Sequence, residues 1–175
     1  MPEIDKLTGF ATQKFFLQEL EQEVLRVKRY KKDLSLLLAQ PNYEFFKNDS
    51  YVKTSLHYSF LKQLGVIFRK VLRDIDLVAR YEGEQILVLL PETGEEGAKL
   101  AAGRLLKEVE NHRFKGDDKV PEFQMGLDIG ISTFLKHAKT AHEMILVAQK
   151  GLQIAIQEGG NKFSVSPIVL EETSS

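Results

Sequence analysis

Residues 76–91, Asp76-Leu-Val-Ala-Arg80-Tyr-Glu82-Gly83-Glu84-Gln85-Ile-Leu-Val-Leu-Leu-Pro91, constrain the fold more than any other stretch. Two strand-forming runs flank a very short polar turn. Residues 77–81 suit a pleated, half-buried surface, whereas residues 86–90 are wholly apolar, as a central strand covered on both faces requires. Gly83 makes a positive φ cheap within the turn. On pattern alone, Glu82, Glu84 and Gln85 are ordinary solvated hairpin residues, with a functional site as the other reading.

The flanking chain supplies the layers such a hairpin needs. From residue 11 to 30, Phe15, Phe16, Leu20, Val24, Leu25 and Val27 recur at three- and four-residue steps, which predicts a helix. Residues 34–39 form a short apolar strand that Gln40 and Pro41 are expected to end, because proline cannot continue a central ladder. A loop over 42–50 precedes a long helix over 51–72, with Phe60, Leu61, Leu64, Ile67 and Phe68 on its buried face. Thr93-Gly-Glu-Glu96 has the capping-box pattern and opens a helix to about His112. A polar loop over 113–124 leads to a strand over 125–134. Thr140-Ala-His-Glu143 caps a final helix to about Glu158, Gly159-Gly160 stops it, and residues 162–166 form a last strand. The βαββαβ kernel is ferredoxin-like: an α+β fold with a central, mostly antiparallel sheet of about five strands and helices packed on it.

With 175 residues, 43% of them hydrophobic, the chain is expected to form one domain over 1–175, with a polar lead-in at 1–10 and a tail at 167–175. Its net charge of −1 provides no global positive field, which argues against a general nucleic-acid or membrane-surface binder. Cysteine is absent, which removes disulfides, thiolate metal sites and a thiol nucleophile. No apolar run approaches the roughly 20 residues of a membrane span, and the first residues lack the apolar core of a signal peptide. A cytoplasmic domain is the expectation. His57, His112, His137 and His142 lack metal-ligand spacing and are expected to face solvent.

Several segments together resemble the GGDEF domains, the diguanylate cyclases of bacterial cyclic di-GMP signal transduction. Asp5-Lys-Leu-Thr-Gly9 resembles the family's opening D-x-L-T-G, and Asn48-Asp49 its N-D. Residues 76–91 resemble D-L-V-A-R-x-G-G-D-E-F-x-x-L-L-P, with Glu82-Gly83-Glu84-Gln85-Ile86 in place of the signature. Ile129-Gly130-Ile131-Ser132 is similar to S-I-G-V, and residues 141–161 to the closing helix with its G-x-N. The resemblance implies the nucleotidyl-cyclase fold.

The positions that the resemblance marks as catalytic are substituted. Where active members hold two metal ions, this chain has Gln40 and Asn42 at the end of the first strand, and only Glu84 keeps a carboxylate. Magnesium favours charged oxygen ligands, and a neutral amide is a poor substitute. Gln85 stands where an acid is expected and cannot exchange a proton near neutral pH. Glu82 adds bulk and negative charge where a triphosphate would approach the backbone. Of the guanine-reading pair, Asn48 is kept and His57 replaces an aspartate, while Ile156 and Gly160 replace the lysine and arginine that hold the triphosphate. The expectation is a degenerate domain without enzyme activity, cofactor or metal, a pseudoenzyme.

The resemblance also implies a product-binding site of the form R-x-x-D, and Arg73-Asp-Ile-Asp76 stands at the family spacing before Glu82. Arg104 matches a further arginine of that site. Arginine's planar fork suits phosphate or the O6/N7 edge of guanine. Read without the family, the three residues are a solvated surface ion pair and a bystander. The expected function is therefore cyclic di-GMP reception through Arg73, Asp76 and Arg104, bridging two surface elements or the protomers of a homodimer. The alternative is a protein–protein interaction module with no nucleotide binding, whose partner is another protein or a neighbouring domain. The basic group Arg26, Lys28, Arg29, Lys31 and Lys32 reads as the exposed end of the first helix, or as a surface for such a partner.

Overall fold

The computed structural model describes residues 3–46, 59–115 and 122–167. Its elements in chain order are α1 (Gln13–Tyr30), β1 (Leu34–Asn42), α2 (Ser59–Val71), β2 (Leu77–Arg80), β3 (Ile86–Pro91), α3 (Glu95–Asn111), β4 (Gly126–Thr133), α4 (Ala141–Gln157) and β5 (Phe163–Val165). The five strands form one sheet in the order β2-β3-β1-β4-β5, antiparallel except for the β4–β5 pair. This is the α+β arrangement expected from the sequence, with the hairpin at one edge and its apolar strand inside.

Both sheet faces are covered, which explains the unbroken apolar runs. Leu37 and Ala39 of β1 and Ile86, Val88 and Leu90 of β3 pack with α2 and α3. Their neighbours Leu34, Leu36, Leu38, Leu87 and Leu89 pack with α1 and α4. Period-two alternation thus divides one hydrophobic stretch between two cores. On β4, Gly130 lets α4 approach the strand directly, because a Cβ there would fall on the carbonyl of Ala148.

Three local expectations are corrected. β1 does not stop before Gln40 but continues through Pro41 to Asn42. Its ladder to β3 ends at the Ala39–Ile86 pair, while the ladder to β4 runs on to Asn42–Gly126. Pro41 therefore lies where β1 has one neighbour, and its missing N–H interrupts no two-sided ladder. At α3 the cap is Gly94, one residue after Thr93, and no side chain caps the helix. Residues 3–10 are also more than a lead-in. Asp5 accepts from the Thr8 amide at 3.0 Å and the Thr8 hydroxyl at 2.6 Å, and the following segment pairs with the outer edge of β2 through Ala11. Burial opposes the Asp5 charge, but the Thr8 hydrogen bonds and the Arg80 guanidinium outweigh it and hold the carboxyl below its usual range.

Of the described histidines, His142 is exposed as expected. His112 instead stacks edge-on against Phe114, and the side chain of His137 is only 10% exposed, with Nδ1 accepting from the Thr133 amide at 2.9 Å. The expected helix over 51–72 is seen from Ser59 to Val71, and its first residues lie outside the described ones.

Candidate functional sites at the strand ends and beside the hairpin

Two concave surfaces collect the residues that the sequence singles out. The first, about 570 Å³, opens at the C-terminal end of β1 and takes in Gln40, Asn42, Tyr43, Asp128, Ile156 and Gly159. Here amides and hydroxyls pair with one another. Gln85 Nε2 donates to Gln40 Oε1 at 3.0 Å, and the Tyr43 hydroxyl donates to Glu84 Oε2 at 2.7 Å. Burial, then the hydrogen bond to Glu84 and its charge, push the Tyr43 phenol far above its ordinary value. These two contacts tie the hairpin turn to the end of β1. Glu82 and Gly83 remain at the exposed tip, with Gly83 at φ 60° as the turn requires.

Asp128 is the residue that sequence reasoning missed at this end. The residue is 2% exposed, and its carboxylate accepts from both directions: Asn42 Nδ2 lies 3.2 Å from each oxygen, and the Asn161 amide lies 2.6 Å from Oδ1. Asn42 Oδ1 in turn accepts from the amides of Glu44 and Phe45. A Cβ at Gly160 would fall against Asn42 Nδ2 and 2.9 Å from Asp128 Oδ1, and its φ of 79° suits glycine. The available signal was an aspartate inside a strand flanked by glycines, Gly126 and Gly130. Asn48 and His57 lie outside the described residues. Among the described residues no three carboxylates or histidines gather as a metal site. Glu84 is hydrogen-bonded to Tyr43, Asp128 is turned to amides, and Gln40 is neutral. This donor set does not fit a pair of hard divalent cations.

The second surface is a groove of about 290 Å³ between the turn after α2 and the face of α3. It is lined by Arg73, Asp76, Thr93, Leu100 and Arg104, with Leu90 of β3 among its apolar walls. The three residues expected to form one site therefore border one groove. The turn closes through the Asp76 amide on the Arg73 carbonyl at 3.0 Å. Asp76 Oδ2 accepts from the Arg73 amide at 2.8 Å and from Nε at 3.4 Å, and Oδ1 accepts from Nη2 at 3.0 Å. The Asp76 side chain is 2% exposed and that of Arg73 52%, so the pair is solvated on the arginine side only. Arg73 Nη2 also donates to the Pro91 carbonyl at 2.9 Å and to the Thr93 hydroxyl at 2.7 Å. Arg104 is exposed and has no hydrogen bond or ion pair among the described residues.

The five-stranded α+β sheet with helices on both faces is the nucleotidyl-cyclase-like fold of solved GGDEF domains. The chain belongs to the GGDEF family: the family described as "Diguanylate cyclase, GGDEF domain" matches residues 3–162. Diguanylate cyclase A of Treponema denticola is 27% identical over 95% of this chain and 45% of its own length. Diguanylate cyclase DgcP of Pseudomonas aeruginosa is 38% identical over 58% of this chain and 15% of its own. The chain thus spans less than half the length of these curated relatives. Among solved structures, the GGDEF domain of FimX from Pseudomonas aeruginosa superposes with a TM-score of 0.81 at 23% identity, covering 93% of this chain and 98% of that one. The GGDEF domain of DgcB from Caulobacter crescentus, solved in complex with c-di-GMP, superposes at 0.79 and 16% identity, covering 92% and 91%. No helix among the described residues is long and apolar enough to cross a membrane.

Proposed function

We propose that this GGDEF domain binds cyclic di-GMP in the Arg73–Arg104 groove and does not synthesise it. The observation that carries this reading is a contrast between the two surfaces. At the strand end, neutral amides and an engaged carboxylate stand where a metal-dependent cyclase needs charged ligands and an acid–base group. In the groove, the guanidinium group of Arg73 is oriented by a buried carboxylate, and a second arginine, Arg104, stands exposed on α3 at the same groove.

In this reading Asp76 acts on Arg73 and not on the ligand, because both its oxygens face Arg73. Arg73 Nη1 and the Arg104 fork are the edges that meet phosphate or the guanine O6/N7 face. Leu100, 66% exposed one turn before Arg104, supplies apolar surface beside them. The match to a relative solved with c-di-GMP supports the ligand's identity. The experiment is calorimetric titration of the wild-type chain, Arg73→Ala and Arg104→Ala with cyclic di-GMP. Wild-type binding weakened about 10- to 100-fold in each variant is expected from losing charge-assisted hydrogen bonds. A flat wild-type titration at tens of micromolar protein removes the proposal.

A second reading, a protein-interaction module indifferent to nucleotide, is favoured by one observation. The exposed side of α1 presents Leu25, 61% exposed, beside Arg26 and Arg29, and Tyr30 at the helix end is 59% exposed. Capture of one partner, equally with and without cyclic di-GMP, supports this reading over the first.

A further inference from the structure

We infer that Thr93 is a positioning residue of the dinucleotide site, holding Arg73 in the one orientation that leaves Nη1 open to the groove. The inference rests on the receptor reading above and goes beyond it by adding a residue from a different segment.

An arginine has five N–H donors in a planar fork, so the groups that occupy its donors decide which edge it presents. In Arg73, Nε and Nη2 are committed. Asp76 takes both from one side, and the Pro91 carbonyl and Thr93 hydroxyl take Nη2 from the other, at 2.9 and 2.7 Å. Nη1 has no partner among the described residues. The Thr93 hydroxyl donates to the Pro91 carbonyl at 2.9 Å, so its lone pairs are turned to the arginine. One hydroxyl thus acts as acceptor for the cation and as a lock on the strand end.

Thr93 itself is held firmly. Its carbonyl accepts from Ser35 Oγ at 2.8 Å, and Ser35 is hydrogen-bonded at 2.9 Å to Thr133 of β4. The hydroxyl is therefore referenced to the centre of the sheet, and Arg73 inherits that precision through it. Without the hydroxyl, Arg73 would keep Asp76 and the Pro91 carbonyl but lose its shortest contact, and the Pro91 carbonyl would lose the hydroxyl that braces it, so the guanidinium would be held less tightly about the side chain's outer torsions. Pre-organisation of that kind is paid in affinity when it is lost.

The variants Thr93→Val, which keeps shape and removes the hydroxyl, and Thr93→Ser, which keeps the hydroxyl, are titrated with cyclic di-GMP beside the wild type. Urea unfolding is measured for all three. About tenfold weaker binding by T93V is expected, as for a lost hydrogen bond to a charged group, with T93S within about twofold of wild type. Wild-type affinity in T93V overturns the inference and leaves the receptor reading standing. Weakening in both variants with lowered urea midpoints makes the role structural and also overturns it. A wild-type chain that does not bind removes the receptor reading, and the role of Thr93 with it.

Discussion

The Tyr43 hydroxyl lies 2.7 Å from a carboxylate oxygen of Glu84, joining the loop after β1 to the hairpin turn. Tyr43 packs edge-on against Phe60 at 5.4 Å between ring centroids, so the phenol is fixed by the core at one end and by a carboxylate at the other. Tyr43→Phe keeps the ring and removes the bond. A loss of about 1 kcal/mol in urea unfolding is expected, as for an ordinary hydrogen bond and below the usual range for charged partners, because Glu84 is exposed. Unchanged stability would show that the contact is not holding the turn.

Acid sensitivity is expected to run through the half-buried histidines. Burial lowers the pKa of His137; Glu95 opposes that shift, and Lys136 and Lys99 add to it. Burial likewise lowers that of His112. A folded-state pKa below the unfolded value of about 6.5 means that the unfolded chain takes up protons first as pH falls. Stability from these residues is thus complete above about pH 6.5 and is lost as pH drops below it. Glu95 is held below its usual range by the Lys136 hydrogen bond, against its own burial, and with help from Lys99, Lys136 and His137. Its contribution is lost only at lower pH, so the two windows separate. Chemical unfolding between pH 7.5 and 5.5 is expected to show declining stability in wild type and a flatter profile in the His112→Gln, His137→Gln double variant. An unaltered slope in the double variant would assign the effect to other groups.

The α4–β4 contact leaves no room for a methyl group. A Cβ at position 130 would fall on the Ala148 carbonyl, and one at Gly151 would lie 3.2 Å from Gly130 Cα and 2.6 Å from the Ser164 carbonyl of the neighbouring β5. Gly130→Ala is expected to cost at least about 3 kcal/mol, the upper end for overpacking, because backbone and not a flexible side chain must move. Gly103, on α3 with nothing within 4 Å of its Cβ position, is the matched control, and Gly103→Ala is expected to be neutral or stabilising. Equal stability of the two variants would contradict the packing described.

The hairpin was legible in the sequence because alternation, an apolar run and Gly83 all agreed on one local structure. Tertiary facts were less legible. Pro41 reads as a strand end, yet the structure tolerates it because β3 begins opposite Ala39. No local pattern carries that information. Thr93 reads as a helix cap, but Arg73, twenty residues earlier, holds its hydroxyl, and the cap passes to Gly94. The Arg73, Asp76 and Arg104 grouping was legible only through the family resemblance, since Arg104 lies on α3 and no local spacing ties it to the Arg73–Asp76 turn. The burial of Asp76 was not, because its exposed neighbours Asp74 and Ile75 give the segment a surface character. Asp128 was hidden for a similar reason: its partners Asn42 and Asn161 come from distant parts of the chain.

The proposed function separates a dinucleotide-binding groove from a strand end without cyclase activity. Parallel titrations of the chain with cyclic di-GMP and with GTP plus magnesium, followed by measurement of pyrophosphate release, test both halves at once. Saturable cyclic di-GMP binding that Arg104→Ala weakens is expected, with no pyrophosphate from GTP. Pyrophosphate release above background, or GTP binding with no response to cyclic di-GMP, would contradict the proposed function.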